Sequence, residues 1–460
     1  MGAETRKVLK MLGAYESPNV LFCEANGSWP IVWERARGCR VWDAEGREYL
    51  DLTAAFGVAA AGHGNRRVVS AGRRQMGKLL HAMGDVHPHK LKAQLARELS
   101  RITFQRWDRA NLARRLTGKS IFTNSGFEAV EAALKTAILA TGKKEVLAFR
   151  GAYHGVGYGA LNATHREHFR APFRPQLRQF CRFAPFPKSE GDLRGLEGRL
   201  AKLLRQRRFG AVLVEPIQVR GGVNIPPDGF LPLLRQLTKD SATLLVLDEI
   251  YTGFGRTGAW FACEHSGTVP DLICLGKALT GGFPLSACVG RAAVIDAAWS
   301  PSSGEAIHTS TFLGHPVGCA MALAQIGEIE RNRLPERSAQ LGSFLLEKLR
   351  SEISPWAPWV EIRGIGLLAG VELRRPDGSA ASRETWRTVK NMLRRGFIVL
   401  PEGALGNIIA LSPPLTISKG QITRAAGALR ESLREAFANQ TDSLPARLET
   451  DKISGAELPP

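Results

Sequence analysis

The stretch Ala242-Thr-Leu-Leu-Val-Leu-Asp248-Glu249-Ile250-Tyr-Thr-Gly-Phe-Gly-Arg-Thr-Gly258, followed by Asp271-Leu-Ile-Cys-Leu-Gly-Lys277-Ala-Leu-Thr-Gly-Gly282, decides how this chain is read. Leu244 to Leu247 is a short unbroken apolar run, the signature of a strand buried on both faces. It ends in two carboxylates and a glycine-rich turn. A second run, Leu272 to Leu275, delivers Lys277 into another glycine-rich loop. In open α/β sheets ligands are met in the crevice beyond the carboxyl ends of the strands, so an acid and an amine at two strand ends point to chemistry.

Working outward, strands and helices alternate. Ile121 to Asn124 reads as a strand, and Ser125 with Glu128 is a capping box that opens a helix whose apolar face carries Val130, Leu134, Ala137 and Ile138. The N-terminus of such a helix offers unpaired N–H groups and a positive dipole end to a phosphate. Further strands are expected at Glu145–Arg150, Ala211–Gln218, where Pro216 ends the run, and Ala287–Gly290, with an irregular stretch to about Pro187. Helices are expected at Arg66–Met83, Pro88–Thr103, Leu193–Arg207 and from His315 to about Glu330. Gly38 to Leu52 reads as a β-hairpin. The fold class is α/β, with a mostly parallel sheet flanked by helices. Residues 63–325 are expected to form the large domain. Residues 1–62 join a smaller α/β domain made by 326–440, and 441–460 form a polar, aperiodic tail expected to be disordered.

At 460 residues, 44% of them hydrophobic, the chain suffices for more than one domain. No apolar run spans a bilayer. The first ten residues lack a signal-peptide core, and Arg6 stands where a myristoylation signal wants Ser or Thr. Seven scattered cysteines without metal-site spacing fit reduced thiols in a cytoplasmic protein. The net charge of +19 raises a nucleic-acid partner, but no basic run with interleaved aromatics supports one. The segment His81-Ala-Met-Gly-Asp85-Val-His87-Pro-His89 does not fit helix-borne metal ligands and is expected to be a loop near the active site.

A lysine amine forms a Schiff base with an aldehyde cofactor, and an acid holds a pyridine nitrogen protonated, so the parts suit pyridoxal 5'-phosphate. The motifs Ser125-Gly-Phe-Glu-Ala-Val-Glu-Ala-Ala-Leu-Lys135, Tyr153-His-Gly155, Glu215-Pro-Ile-Gln218, Leu247 to Gly258, Gly276-Lys-Ala-Leu-Thr-Gly-Gly282 and Thr311-Phe312, in this order, resemble those of the class-III (ω-)aminotransferases. The resemblance implies a fold-type-I homodimer with shared active sites and an amino transfer between an amine or amino acid donor and a keto or aldehyde acceptor. It assigns Lys277 as the Schiff-base lysine and Asp248 as the partner of the pyridine nitrogen. Tyr153 and Ile250 would flank the cofactor ring, and Glu215 would lie behind it. Ser125, Gly126 and Phe127 would hold the phosphate with Thr311 from the partner subunit. An aminomutase or racemase on the same scaffold is the alternative.

The chain departs from the resembled pattern at substrate-facing positions. Phe127 replaces a threonine, and Tyr251 replaces a glutamine expected at the cofactor's ring hydroxyl. Ala410 stands where an arginine commonly grips an α-carboxylate, and Val156 where another grips a distal one. Arg220 replaces a glutamate. Arg220, Tyr251 and Ala410 are therefore the candidate substrate residues. Two readings follow: an amine donor without an α-carboxylate, or a carboxylate clamp relocated to Arg220, whose plain alternative is a structural ion pair.

Overall fold

The computed structural model describes residues 2–24, 26–108, 116–354 and 359–438. The tail expected at 441–460 lies outside them. Three N-terminal strands, β1 (Trp33–Arg37), β2 (Arg40–Asp43) and β3 (Glu48–Asp51), form an antiparallel meander that contains the expected hairpin. Seven strands build the central sheet: β4 (Gly118–Thr123), β5 (Glu145–Phe149), β6 (Cys181–Ala184), β7 (Phe209–Val214), β8 (Leu244–Asp248), β9 (Leu272–Leu275) and β10 (Ser286–Arg291). Their order is β4-β10-β9-β8-β7-β5-β6, and only β10 runs against its neighbours. A second sheet is antiparallel, made of β11 (Val360–Ile365), β12 (Leu368–Leu373), β14 (Leu400–Glu402) and β15 (Ile408–Leu411). Between them in sequence, β13 (Phe397–Ile398) pairs in parallel with β3 and so ties the N-terminal segment to the C-terminal one.

The central strands read as apolar runs because both of their faces are covered. In β8, Leu245 and Leu247 join one hydrophobic cluster while Val246 joins the other; in β9, Ile273 and Leu275 divide from Leu272 and Cys274 in the same way. This is the period of two that a strand imposes. Continued by one residue, it turns Asp248 toward the face covered by helix Gly126–Thr141. That helix packs closely because its buried side is small: Ala129, Ala132, Ala133 and Ala137. The parallel strands and β4 all end on one edge, so Asn124, Arg150, Glu215, Asp248 and Gly276 leave the sheet there.

Two expectations need correction, and one element is new. The stretch before Pro187 is not irregular: it holds helix Tyr158–Ala163, further short helical turns and β6, an edge strand of only four residues, Cys-Arg-Phe-Ala, too short to leave a period. The helix begun at Arg66 stops at Lys78, because Leu79, Leu80 and Met83, which extended its apolar pattern, are exposed instead of packed. A helix at Ala3–Tyr15 was not foreseen; it is held by Glu45, whose carboxylate accepts from the Thr5 amide at 2.9 Å and hydroxyl at 2.7 Å. No described helix is long and apolar enough to cross a membrane.

The turn after β8 is stapled by Glu249, a fully buried carboxylate. It accepts from the Thr252 hydroxyl at 2.6 Å and from the amides of Ala262 and Cys263 at 2.8 Å each. Truncation strands three donors where water does not reach, each worth roughly 1–3 kcal/mol. Glu249→Ala is expected to lower unfolding stability by about 3 kcal/mol or more in urea titration; a loss below about 1 kcal/mol would contradict this role.

Candidate active site

Asp248 emerges from β8 almost fully buried. One carboxylate oxygen accepts from the Ile250 amide at 3.1 Å, and the other lies 2.8 Å from Nδ1 of His154. A carboxylate only accepts, so the imidazole donates from Nδ1. His154 is itself buried, and its Nε2 has no hydrogen-bond partner among the described residues. The ring is oriented from behind, because the His154 amide donates to Thr164 Oγ1 at 2.9 Å and that hydroxyl donates to the Gly155 carbonyl.

Glu215 follows β7 and accepts from the Tyr153 amide at 2.9 Å. Burial pushes its carboxyl up to about 7, against the opposing pull of His154 and Lys277 and with the help of Asp248. Lys277 follows β9 in a left-handed conformation, φ 43°, that a side chain adopts only where the surroundings enforce it. Gly276 before it has no room for a side chain, since a Cβ there would stand 2.7 Å from Ser286 Oγ. Burial pulls the Lys277 ammonium below the ordinary lysine range, and the carboxylates of Asp248 and Glu215 oppose that shift. Its Nζ lies 4.7 Å from the centroid of the Tyr251 ring.

These groups surround one cavity of about 270 Å³. Of the residues singled out from sequence, Lys277, Asp248, Glu215, Tyr153, Ile250, Gly126, Phe127, Arg220 and Tyr251 line it. A somewhat larger groove of about 340 Å³ on the outer face of helix Gly126–Thr141 carries none of them. Gly126 opens that helix at the cavity wall, where a Cβ would come 3.1 Å from Ile250 Cδ1. The first amides of the helix have no intrahelical acceptor and point to the cavity side. Phe127 packs against the following loop so tightly that a Cβ at Gly155, φ 111°, would meet its own Cβ at 2.3 Å.

Three candidates are not on the cavity wall. Ser125 caps the helix, with the Glu128 carboxylate accepting from the amides of Asn124 and Ser125 at 2.8 Å each. Thr311 is exposed, beside Ser310, whose hydroxyl accepts from the Asn124 side chain at 3.2 Å. Ala410 is buried on β15 and packs in the apolar cluster that reaches Tyr251. The His81–His89 loop also stays off the wall: Asp85 accepts from Thr309, and His89 Nε2 meets the Gly314 carbonyl at 2.7 Å. No group of side chains fit to hold a metal ion occurs among the described residues.

Arg220 does form an ion pair. Its Nε is 3.4 Å from Glu402 Oε2, and its guanidinium lies over the Tyr153 ring, 4.8 Å from the centroid. Neither of those two paired atoms is in hydrogen-bond geometry with a partner among the described residues, so the contact is electrostatic and loose. Burial raises the Glu402 carboxyl, with Arg220, Arg166 and Lys277 opposing. Sequence reading missed Glu402 and His154. His154 stood inside the quoted Tyr153-His-Gly155 motif, which was the only signal for it.

The family model of the class-III aminotransferases matches residues 23–433. The acetylornithine aminotransferase of Methanosarcina mazei is 35% identical, over 88% of this chain and 92% of the relative. The putrescine aminotransferase of Pectobacterium atrosepticum is 36% identical, over 95% and 90%. Among solved structures, the ornithine aminotransferase of Toxoplasma gondii superposes with a TM-score of 0.82 at 27% identity, covering 95% of this chain and 96% of that one. A Bacillus anthracis aminotransferase gives 0.85 at 26%, covering 95% and 100%.

The His154–Asp248 contact predicts its own removal. His154→Phe keeps a ring in place and leaves a buried carboxylate oxygen without its donor, a loss of roughly 1.5–3 kcal/mol for a charged group. Urea unfolding is expected to show that loss, and an unchanged midpoint would contradict the pairing.

Proposed function

The chain belongs to the class-III aminotransferases, which use pyridoxal phosphate, and on that premise we propose a donor and an acceptor for it. The donor is a primary amine whose reacting carbon carries no carboxylate, and the acceptor is a keto acid whose carboxylate is received by Arg220. One observation carries this reading: among the described residues, Arg220 is the one arginine lining the cavity, while the position of the customary carboxylate-binding arginine is the buried Ala410. Val156, Ile217 and Tyr251 add apolar and aromatic groups to the wall. Relatives named for acetylornithine and putrescine support transfer, and no observation favours aminomutase or racemase chemistry.

The cavity suits the cofactor on its own chemistry. A buried carboxylate, already held by His154 and the Ile250 amide, is the group to face a protonated pyridine nitrogen. Tyr153 and Ile250 offer faces to a flat ring, and the Gly126 and Phe127 amides offer donors to a phosphate. Bound pyridoxal phosphate supplies an electron sink for the pair left on carbon when a proton departs. The residues do the remainder. Lys277 Nζ takes the proton from the reacting carbon and returns it, its affinity for that proton lowered by burial toward the working range. Asp248 would face the ring nitrogen, with His154 fixing the direction of its carboxylate. Glu215 holds the Tyr153 backbone, and with it the ring that covers the site.

We read the enzyme as a cytoplasmic homodimer in which the exposed Thr311 serves the partner's phosphate site. Ser125 acts through the cap that presents Gly126 and Phe127. The Arg220 assignment separates two kinds of substrate. Arg220→Ala is expected to raise KM for a keto acid acceptor by tenfold or more, as for a lost charge-assisted hydrogen bond, while leaving the half-reaction with a carboxylate-free amine within about twofold. Equal effects on both half-reactions would refute it. A screen in which no amine donor converts the bound cofactor would refute the donor class.

A further inference from the structure

Tyr251 differs from the other residues of the wall in how completely it is held. Ser412 donates its single hydroxyl proton to the Thr53 carbonyl at 3.2 Å, so it meets Tyr251 as an acceptor, at 2.9 Å. The tyrosine O–H is therefore spent inside the protein. Burial pushes that phenol up to about 12, so it stays protonated and gives nothing to the cavity at neutral pH. What it presents there is the face of its ring, with the Lys277 Nζ at 4.7 Å from the centroid.

The bracing comes from a strained turn. Ala54, Ala55 and Phe56 have φ of 47°, 48° and 61°, a left-handed run that L side chains avoid. Asp51, fully buried, enforces it by accepting from the Thr53 amide at 2.8 Å, the Thr53 hydroxyl at 2.6 Å and the Ala55 amide at 3.1 Å. His63 Nε2 meets the same carboxylate at 2.7 Å. The turn closes on Gly57, where a Cβ would approach Tyr251 Cε1 to 3.0 Å, so the glycine lets the backbone press on the ring edge. Strain of this kind persists where it serves a site.

We propose that Tyr251 is a positioning residue: braced by Ser412 and the turn from Thr53 to Gly57, its ring face is the seat of the Lys277 ammonium whenever that nitrogen is free. The proposal rests on the aminotransferase reading, in which Lys277 is alternately engaged and released. Asp248 and Glu215 on neighbouring strand ends, and Glu402 behind Arg220, attract the ammonium, while Arg220 repels it. Those charges set its protonation but converge from several sides. The quadrupole of a desolvated ring adds an attraction with a direction, and it favours the charged form. Removing the ring face therefore lowers the proton affinity of Lys277.

The test uses the full-length enzyme loaded with pyridoxamine phosphate, in which Lys277 is a free amine. The pH midpoint of its acetylation by acetic anhydride, measured by mass spectrometry of the Lys277 peptide, reports its proton affinity without turnover. Tyr251→Phe keeps the face and is expected to keep the midpoint. Tyr251→Leu and Tyr251→Gln remove it and are expected to lower the midpoint by about one pH unit, a tenfold fall in proton affinity. The parent midpoint in both ring-less variants, or an equal shift in Tyr251→Phe, overturns the proposal. Two ring-less variants of different polarity, with thermal melts, guard against loss through misfolding. Because pyridoxamine phosphate is added directly, failure of every amine donor sinks the function above without touching this readout.

Discussion

A buried charge must be compensated, and the edge of the central sheet holds several at once. Asp248, Glu215 and Glu402 are buried, and Lys277 is half-buried near them. An isolated ion there would neutralise itself by shifting its pKa. Burial does push Glu215 and Glu402 up and Lys277 down, and these groups divide what compensation there is. His154 and one amide hold Asp248, the Tyr153 amide holds Glu215, and Lys277 lies within the field of both acids. The result is a hydrogen-bonded acid near an amine that gives its proton up more readily than an exposed lysine. Proton movement at a substrate carbon needs that combination.

The fold brings Asp248, Glu215 and Lys277 to one edge of the central sheet. Parallel strands place their ends together, and the alternation within β8 turns Asp248 to the face where helix Gly126–Thr141 begins. Local strain is present at that edge. Lys277 and the run from Ala54 to Phe56 are left-handed without being glycine, while Gly57, Gly126, Gly155 and Gly276 stand where backbone meets side chain too closely for a Cβ.

Much of this was legible in the chain. Asp248 and Lys277 each end an apolar run, and the capping box marked the helix start that opens at Gly126. The central strands were readable because burial on both faces leaves an unbroken apolar signature. What escaped was whatever depends on distant contacts. His154 becomes a partner of Asp248 only across 94 positions, and β6 is a strand only because β5 pairs with it. Glu402 lies on a short edge strand with no local pattern of its own, and its relation to Arg220 is created by the approach of the second sheet. Tyr251 could be marked from sequence as a departure, but its bracing through Ser412 and Thr53 required the fold.

Every role proposed for the site depends on Lys277 being the lysine that holds the cofactor aldehyde. Reduction of the holoenzyme with borohydride, followed by digestion and mass spectrometry, fixes the cofactor to whichever lysine carries it. The pyridoxyl mass is predicted on the peptide containing Lys277, at close to one per chain. The same mass on another lysine, with Lys277 unmodified, would contradict the assignment of the whole site.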